Sequence, residues 1–348
     1  MAETAKRAAI ATLVAGGIVV CALAFWKLRI VFALLFLAFI IAAAMRPGIE
    51  TLARKGIPRP VGILLHYALL VGAFVALLWI VVPRAIDQVD NAMGGSLNQE
   101  AQESTGIKHD ILTGLQRRLE DVPSGSELVD PAVSVTLTAF EIALGIFFTL
   151  ASAAYWIFER DRAEDLLCSL LPRPKRKRVR DTWDLIDAKL GAYVRGQALL
   201  IVLVAFALSL AFWGIGLRYW LLIAAFAGLV EIIPVVGPLA AGTLAVGVGL
   251  TQSAQVAVLA GIAVLAVRLV EDYLVIPRVL GDAVGLTPLV VLFAVTASGI
   301  LFGGFAVILA IPLAAVAATL VNVVVRDLDP ADEEVPAVIF SAKETETA

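Results

Sequence analysis

Long apolar runs separated by short polar segments dominate this sequence. A transmembrane helix needs about 20 consecutive apolar residues. Five runs in the first part of the chain approach or exceed that length, at residues 8–26, 30–45, 61–82, 132–158 and 198–217. Strands of a transmembrane barrel alternate apolar and polar residues, whereas these runs are continuously apolar. The pattern therefore predicts an all-α, polytopic membrane protein.

The apolar pattern is interrupted beyond Arg218, where proline and glycine separate shorter pieces. These pieces lie at residues 219–230, 239–250, 256–276, 289–302 and 305–325. We interpret the first two as a re-entrant pair and the other three as complete spans. With the five earlier runs, this gives about eight transmembrane helices plus broken segments in the C-terminal half. Such interruptions are typical of transporters that bind their solute near the membrane midplane.

The stretch at residues 229–239 places a carboxylate and helix-breaking residues inside this apolar region: Glu231, Pro234, Gly237 and Pro238. Proline removes a backbone donor and clashes with the preceding turn, and glycine permits conformations that other residues resist. Broken backbone at membrane depth is tolerated only inside protein or beside a water-filled cavity. A carboxylate there suggests a function. We therefore predict a solute pathway centred near Glu231. On the same argument Glu141, inside the fourth apolar run, is a further candidate.

A second charged group follows in the apolar piece at residues 256–276. Arg268 precedes Glu271 and Asp272 by three and four residues, which puts the three side chains on one helical face. One interpretation is an ion pair that fixes helix packing, and the other is a proton or cation site. The residues that follow, Pro277 and Gly281, resemble the break near Glu231 and join the candidates for the pathway.

The polar segments predict how the chain is oriented. Residues 173–180 hold six basic residues in eight, and Lys/Arg-rich loops stay in the cytoplasm. By parity, both termini and the basic loop at 46–59 are cytoplasmic, whereas the acidic loop at 84–131 is extracytoplasmic. Beside membrane spans, the basic run is a topology signal that can also contact anionic lipid, rather than a nucleic-acid site.

Two polar segments also show helical patterns. Apolar residues recur every four positions across residues 107–119, which predicts an amphipathic helix that covers the membrane domain or serves as a gate or oligomer contact. Another stripe, at residues 183–193, predicts a helix along the cytoplasmic membrane surface. We divide the chain into N-terminal spans, an extracytoplasmic segment, the fourth span with a basic loop, a transport core and an acidic tail without fixed structure: residues 1–83, 84–131, 132–195, 196–326 and 327–348.

Composition excludes several other classes of function. The chain is 60% hydrophobic and only 16% charged, with a mean hydropathy of +0.93. Its two cysteines, Cys21 and Cys168, are far apart, and its two histidines cannot form a zinc cluster. We expect neither a disulfide nor a metal site. Motifs for hydrolysis, nucleotide binding and dinucleotide binding are absent. We therefore expect no cofactor and no enzymatic activity.

Several short motifs occur in order along the second half of the chain. They are Tyr193-Val-Arg195-Gly-Gln197, Glu231-Ile-Ile-Pro-Val-Val-Gly-Pro238, Glu271-Asp272, Pro277-Arg-Val-Leu-Gly281, Gly285-Leu-Thr-Pro288-Leu289 and Ile311-Pro-Leu313. In this order and spacing the sequence resembles the autoinducer-2 exporter family of bacterial membrane proteins, over nearly its whole length. Many members have His where this chain has Thr287, so a role of that imidazole is absent or altered here.

The resemblance implies a multi-pass protein of the bacterial inner membrane, with a carrier-like mechanism and a homo-oligomeric, for example pentameric, assembly. It also adds Arg195, Gln197 and Pro288 to the candidate residues. Members have been linked to export of the signalling molecule autoinducer-2, and others to sodium/proton exchange. We expect a secondary transporter that exports a small polar solute. The alternatives are a cation/proton antiporter that uses the same carboxylates, and a membrane scaffold that transports nothing.

Overall fold

The computed structural model describes residues 2–91, 129–233, 236–279 and 285–333, together with Val335 and Val338. The first five helices are α1 (Ala2–Lys27), α2 (Arg29–Arg54), α3 (Arg59–Asn91), α4 (Val129–Ser169) and α5 (Arg173–Ile215). The amphipathic helix predicted at residues 107–119 lies outside the described residues, as do Pro234 and Gly281.

The second half of the chain forms shorter helices. They are α6 (Trp220–Val230), α7 (Val236–Gln252), α8 (Ala254–Val270), a π-helical turn (Glu271–Val275), α9 (Ile276–Val279), α10 (Pro288–Phe302), α11 (Gly304–Val324) and a 3₁₀ turn (Pro330–Asp332). Within the described part of the chain, six helical segments are long and apolar enough to cross a membrane: Arg29–Arg54, Arg59–Val81, Phe140–Ser169, Arg173–Ile215, Ala254–Arg278 and Gly304–Val324. Together with the shorter apolar helices, they confirm the predicted all-α, polytopic fold with broken segments.

Two prolines that lie just beyond apolar runs are inside helices. Helix α3 continues through Pro83 to Asn91, past the end of the apolar run at residue 82. Likewise α2 continues through Pro47 to Arg54. Proline removes only one backbone hydrogen bond, and at Pro47 the neighbouring helix covers the resulting gap. There Gly191 of α5 packs directly on the freed carbonyl of Ala43.

Helix α5 is the central element of the molecule. Its 43 residues extend over about 65 Å, and it packs against α2, α4, α6, α8 and α11. The stripe at residues 183–193 is helical as predicted, but it and the fifth span form one continuous helix rather than two. Leu190 and Tyr193 are buried, whereas Trp183 and Ile186 line an open crevice. The domain boundaries placed after residues 83 and 195 both fall inside continuous helices.

The largest buried cluster holds the broken segment in place. Phe212, Leu208 and Val204 of α5 pack against Ala224 and Ala227 of α6, and small residues of α7 and α8 complete the cluster. Glycines make these close approaches possible, because a side chain at Gly228 would collide with α5 and one at Gly249 would collide with α8. Small residues at membrane helix interfaces let backbones approach closely. The α6–α7 hairpin is therefore fixed against α5 and α8.

The tail beyond α11 makes specific contacts with α5. Arg178 pairs with Asp327 at 2.6 Å, and buried Lys189 pairs with Glu333 at 2.6 Å. Further along, the backbone carbonyl of Val338 accepts a hydrogen bond of 2.9 Å from Nε of Arg195. For these described residues the expectation of a tail without fixed structure is wrong. The reason is that buried cations on α5 require partners, and the tail supplies them.

Candidate functional site

The predicted break near Glu231 is confirmed. Helix α6 ends at Val230, residues 231–233 form a turn, and α7 begins at Val236. Gly237 lies so close to the end of α6 that a Cβ atom there would collide with the carbonyl oxygen of Val230. Pro238 lies in the first turn of α7, where a missing backbone donor costs no helical hydrogen bond. The glycine and this proline therefore allow a tight reversal beside Glu231.

Arg268 of α8 connects this break to two further carboxylates. Its Nη1 atom lies 3.0 Å from Oε1 of Glu231 and 3.1 Å from Oε2 of Glu271. Its Nη2 atom lies 3.0 Å from Oδ1 of Asp272. Glu231 and Glu271 are only 5% and 4% exposed, whereas the Asp272 side chain is 40% exposed. Three carboxylates share one guanidinium here, which leaves two excess negative charges when all three are ionised.

The backbone around Glu271 and Asp272 is a π-helical turn. It covers Glu271–Val275, and the amide of Ile276 donates to the carbonyl of Glu271, five residues earlier. A π turn is rare and is found frequently at functional sites. Pro277 lies in α9 and is helical, and that helix is described as far as Val279. The break suggested by Gly281 lies outside the described residues.

Gln197 completes the cluster from α5. Its Nε2 atom donates a hydrogen bond of 3.0 Å to the backbone carbonyl of Glu231. Helix α6 ends at this point, so its last carbonyls lack partners within the helix. A side-chain amide from the neighbouring helix satisfies one of them. Gln197 therefore holds the break against the central helix, while Arg268 holds the Glu231 side chain.

Three other candidates lie outside this cluster. Arg195 is two residues before Gln197, which puts it about 200° away around α5. It donates instead to the backbone carbonyls of Ala44 and Val338. Glu141 is exposed on α4, and Pro288 is the first residue of α10. Arg195 thus ties α5 to α2 and to the tail, and is not part of the charged site.

An open groove of about 600 Å³ runs between α7 and α8 and reaches this site. Arg268 is its one charged lining residue among those described, and Thr243 is exposed nearby. The glycines of both helices widen it, because they leave no side chain between them. The lining is Pro238, Leu239, Gly242, Thr243, Val246, Gly247, Leu250, Gly261, Val264, Leu265 and Arg268. A small solute in the groove would meet the guanidinium at its polar end.

The family model of the AI-2E family transporters matches residues 16–326 of this chain. The chain belongs to the AI-2E transporter family. It is 26% identical over 309 residues to "Putative transport protein YrrI" of Bacillus subtilis, covering 84% of this chain and 86% of that protein. It is 26% identical over 309 residues to "Putative transport protein MT0215" of Mycobacterium tuberculosis, covering 83% and 82%. It is 27% identical over 203 residues to "Putative permease PerM" of Escherichia coli, covering 57% and 56%.

Membership of this family identifies a multi-pass membrane transporter. The relatives' names describe transport proteins and permeases, and they state no substrate. The match extends over every element that forms the charged site, from Gln197 on α5 to Asp272 in the π turn. The polar groups described above therefore lie in the part of the chain that the family shares. Among the described residues, no group of three or more His, Cys, Asp or Glu side chains is arranged to hold a metal ion.

The transporter also has a charged network that sequence reasoning missed. Buried Arg160 of α4 pairs with Asp187 at 2.6 Å, with Glu164 at 2.9 Å and with Asp184. Arg180 of α5 also pairs with Glu164. The spacing of four residues between Arg160 and Glu164 is compatible with an ion pair on one helix face. The spacing could not show which face of the helix is buried. This network joins α4 to the start of α5, far along α5 from Gln197, and we interpret it as structural.

Proposed function

We propose that this protein is a secondary transporter that exports a small polar solute such as autoinducer-2. The observation that carries the proposal is the position of Arg268. Its guanidinium joins a carboxylate in a helix break to two carboxylates in a π turn, inside a chain that is otherwise strongly apolar. Ionisable groups at membrane depth are expensive and mark solute or ion pathways. Without a nucleotide-binding motif in this sequence, an ion gradient is the energy source we propose.

The proposed cycle depends on a contact that can be exchanged. A carrier needs a group whose interactions differ between its two access states. A polar solute arriving along the groove competes with Arg268 for the carboxylate of Glu231. When that contact opens, Arg268 keeps Glu271 and Asp272 as partners, so no buried cation is left alone. The turn around Glu231 is then free to change its position relative to α8 and opens the site to the other side, while the apolar cluster keeps the rest of the α6–α7 hairpin packed against α5.

The charge balance of the cluster favours a second candidate function, cation/proton antiport. Three carboxylates face one guanidinium, so the cluster has capacity for a proton or a small cation. Carboxylate oxygens are the ligands that hard cations prefer. The described carboxylates are not arranged as a metal site in this state, so in this alternative a sodium ion or a proton binds Glu231 only in the other state, after Arg268 has left it. The same residues are required, but the transported species differs.

We also propose an orientation and an assembly. The basic segments at residues 46–59 and 173–180 favour the cytoplasmic side of a bacterial inner membrane. Both termini would then be cytoplasmic, and the acidic segment at 84–131 extracytoplasmic. The family resemblance supports a homo-oligomer, with a pentamer as the expected arrangement. Mass measurement of the detergent-solubilised protein by light scattering tests the assembly, and a monomer would contradict it.

Flux in proteoliposomes tests the function directly. The full-length protein is reconstituted, and movement of autoinducer-2 is measured beside sodium and proton exchange. Transport of autoinducer-2 that is lost in Glu231→Gln but kept in the exposed control Glu141→Gln supports the exporter. Sodium/proton exchange with the same mutational pattern and no movement of autoinducer-2 supports the antiporter. The absence of all three fluxes from correctly folded protein contradicts both and favours the scaffold.

A further inference from the structure

A second cavity lies away from the charged site. It is a crevice of about 780 Å³ between α2, α4, the first turns of α5, and α11. Its inner wall is aromatic and aliphatic, and Arg268 and Glu231 are not among its lining residues. Trp183 stacks on Trp156 at 5.9 Å, and Phe39 packs edge-on against both. Cavities of 300–1,000 Å³ with such linings are the usual size for bound organic molecules.

One end of the crevice is cationic. Lys175 and Arg178 line it there, in the basic run that begins α5. Arg178 already has partners, since it pairs with Asp327 at 2.6 Å and donates to the carbonyl of Val323 at 2.7 Å. Lys175 is different. It is exposed, and its ammonium group has no hydrogen-bond or ion-pair partner in the described part of the chain. It can therefore accept an anion without losing an existing contact.

The cationic and apolar ends of the crevice are separated along α5. Lys175 and Ile186 both line the crevice and are eleven residues apart on α5, which corresponds to about 16 Å. The cavity is thus elongated, with cations at one end and hydrocarbon surface at the other. Such a gradient matches an amphiphile with an anionic head and an apolar chain. A free inorganic anion would contact only the cationic end of the crevice.

Trp183 supplies a further polar feature in the apolar part. Its Nε1 atom is buried and has no hydrogen-bond acceptor among the described residues. Buried polar atoms are normally paired, and an exception calls for an explanation such as an absent ligand. A phospholipid carries ester carbonyl groups between its phosphate and its acyl chains. The Nε1 atom has almost no accessible surface while the crevice is empty, so an ester carbonyl would reach it only after the indole turned toward the crevice.

We propose that this crevice binds one anionic phospholipid. The phosphate group contacts Lys175 and the outer face of Arg178, and an acyl chain occupies the wall formed by Phe39, Trp156 and Trp183. Charge complementarity selects this occupant, because in the proposed orientation the basic run faces the anionic cytoplasmic surface of the membrane. The bound lipid would join α2, α4 and α11 to α5, the same helix that holds the Glu231 break through Gln197.

Native mass spectrometry of the full-length protein tests the site with two probes, phosphatidylglycerol and phosphatidylcholine. One phosphatidylglycerol should bind in preference to phosphatidylcholine. Lys175→Gln should weaken that binding about fivefold, the contribution expected from one lysine near an anionic surface. The matched control is Lys177→Gln, which removes another exposed charge from the same run but from a residue that does not line the crevice.

A second variant tests the apolar end. Ile186→Trp should fill the crevice and remove the tightly bound lipid, and a melting curve in lipid-free detergent checks that the variant folds. If Ile186→Trp does not fold, the test uses quenching of tryptophan fluorescence by brominated phosphatidylglycerol in the protein without that substitution. Trp183→Phe should then remove the strongest quenching. Equal loss in Lys175→Gln and Lys177→Gln would overturn the proposal. Equal binding of both lipids would also overturn it.

Discussion

The guanidinium of Arg268 lies 3.0 Å from the carboxylate of Glu231, although 37 residues separate the two in the chain. Glu231 is in the break between α6 and α7, whereas Arg268 is near the end of α8. This contact is therefore the link between the broken hairpin and the helix that follows it. Because Glu271 and Asp272 share the same guanidinium, the link can open without leaving Arg268 unpaired.

Replacing Glu231 separates function from stability. Glu231→Gln should reduce flux at least tenfold, because the exchangeable charge is lost. Its melting temperature should stay close to that of the wild type, since Arg268 keeps two carboxylates and glutamine keeps the shape and a hydrogen bond. Proteoliposome flux and detergent melting curves measure the two effects. Wild-type flux in this variant would show that the site is elsewhere, and a failure to fold would favour the scaffold.

Replacing Arg268 should lower the stability of the protein as well as its flux. Arg268→Gln leaves Glu231 and Glu271 buried without their cation, and breaking a buried pair costs about 3–5 kcal/mol. Glu271→Gln alone should cost much less, because Arg268 retains Glu231 and Asp272. The double variant should recover part of the stability but none of the flux. The exposed Arg278→Gln serves as control, and an equal loss of melting temperature there would contradict the shared-cation arrangement.

Gly237 should tolerate no side chain. In Gly237→Ala the new methyl group meets the carbonyl oxygen of Val230, so the hairpin must open. Overpacking of this kind costs about 1–3 kcal/mol, and we expect flux to fall with it. Gly247→Ala on the same helix has open space around the new methyl group. Its melting temperature should be unchanged or slightly raised. Equal melting temperatures for the two variants would show that the close approach is not required.

The tail should contribute measurably to stability. Glu333→Gln leaves Lys189, whose side chain is 5% exposed, with only Thr319 as its hydrogen-bond partner in the described structure. We expect a loss of about 1–3 kcal/mol, below the range for fully buried pairs because Glu333 is partly exposed. The double variant Lys189→Met, Glu333→Gln should recover much of the lost free energy of unfolding. An unchanged melting temperature in Glu333→Gln, like that expected for the exposed Asp332→Asn, would show that the tail contact is dispensable.

Cysteine labelling checks the orientation. After replacement of Cys21 and Cys168, a cysteine at Lys177 should react with an impermeant reagent only when the membrane is opened. A cysteine at Ser104, in the acidic segment, should react from outside in intact cells. Lys177 is exposed, so the reagent can reach it once the membrane is opened. Labelling of position 177 from outside would reverse the proposed topology.

The sequence by itself determined the class of the molecule and the place of its main break. Continuous apolar runs require helices in a bilayer, because backbone groups there must be paired within each segment. The combination of proline and glycine after Glu231 interrupts one of these helices for local steric reasons. The spacing of Arg268, Glu271 and Asp272 likewise placed three charges on one face. These are properties of neighbouring residues, so the order of residues is enough to predict them.

Other features were decided only by tertiary structure. Periodicity could not show that Arg268 contacts Glu231. It also could not show that Gln197 contacts the break whereas Arg195 does not, or that α5 is continuous through its polar stripe. It also missed the contacts between the tail and α5. Each of these depends on which helices pack together. A helix face is polar or apolar by its sequence, but whether water, lipid or another helix covers it depends on residues far away in the chain.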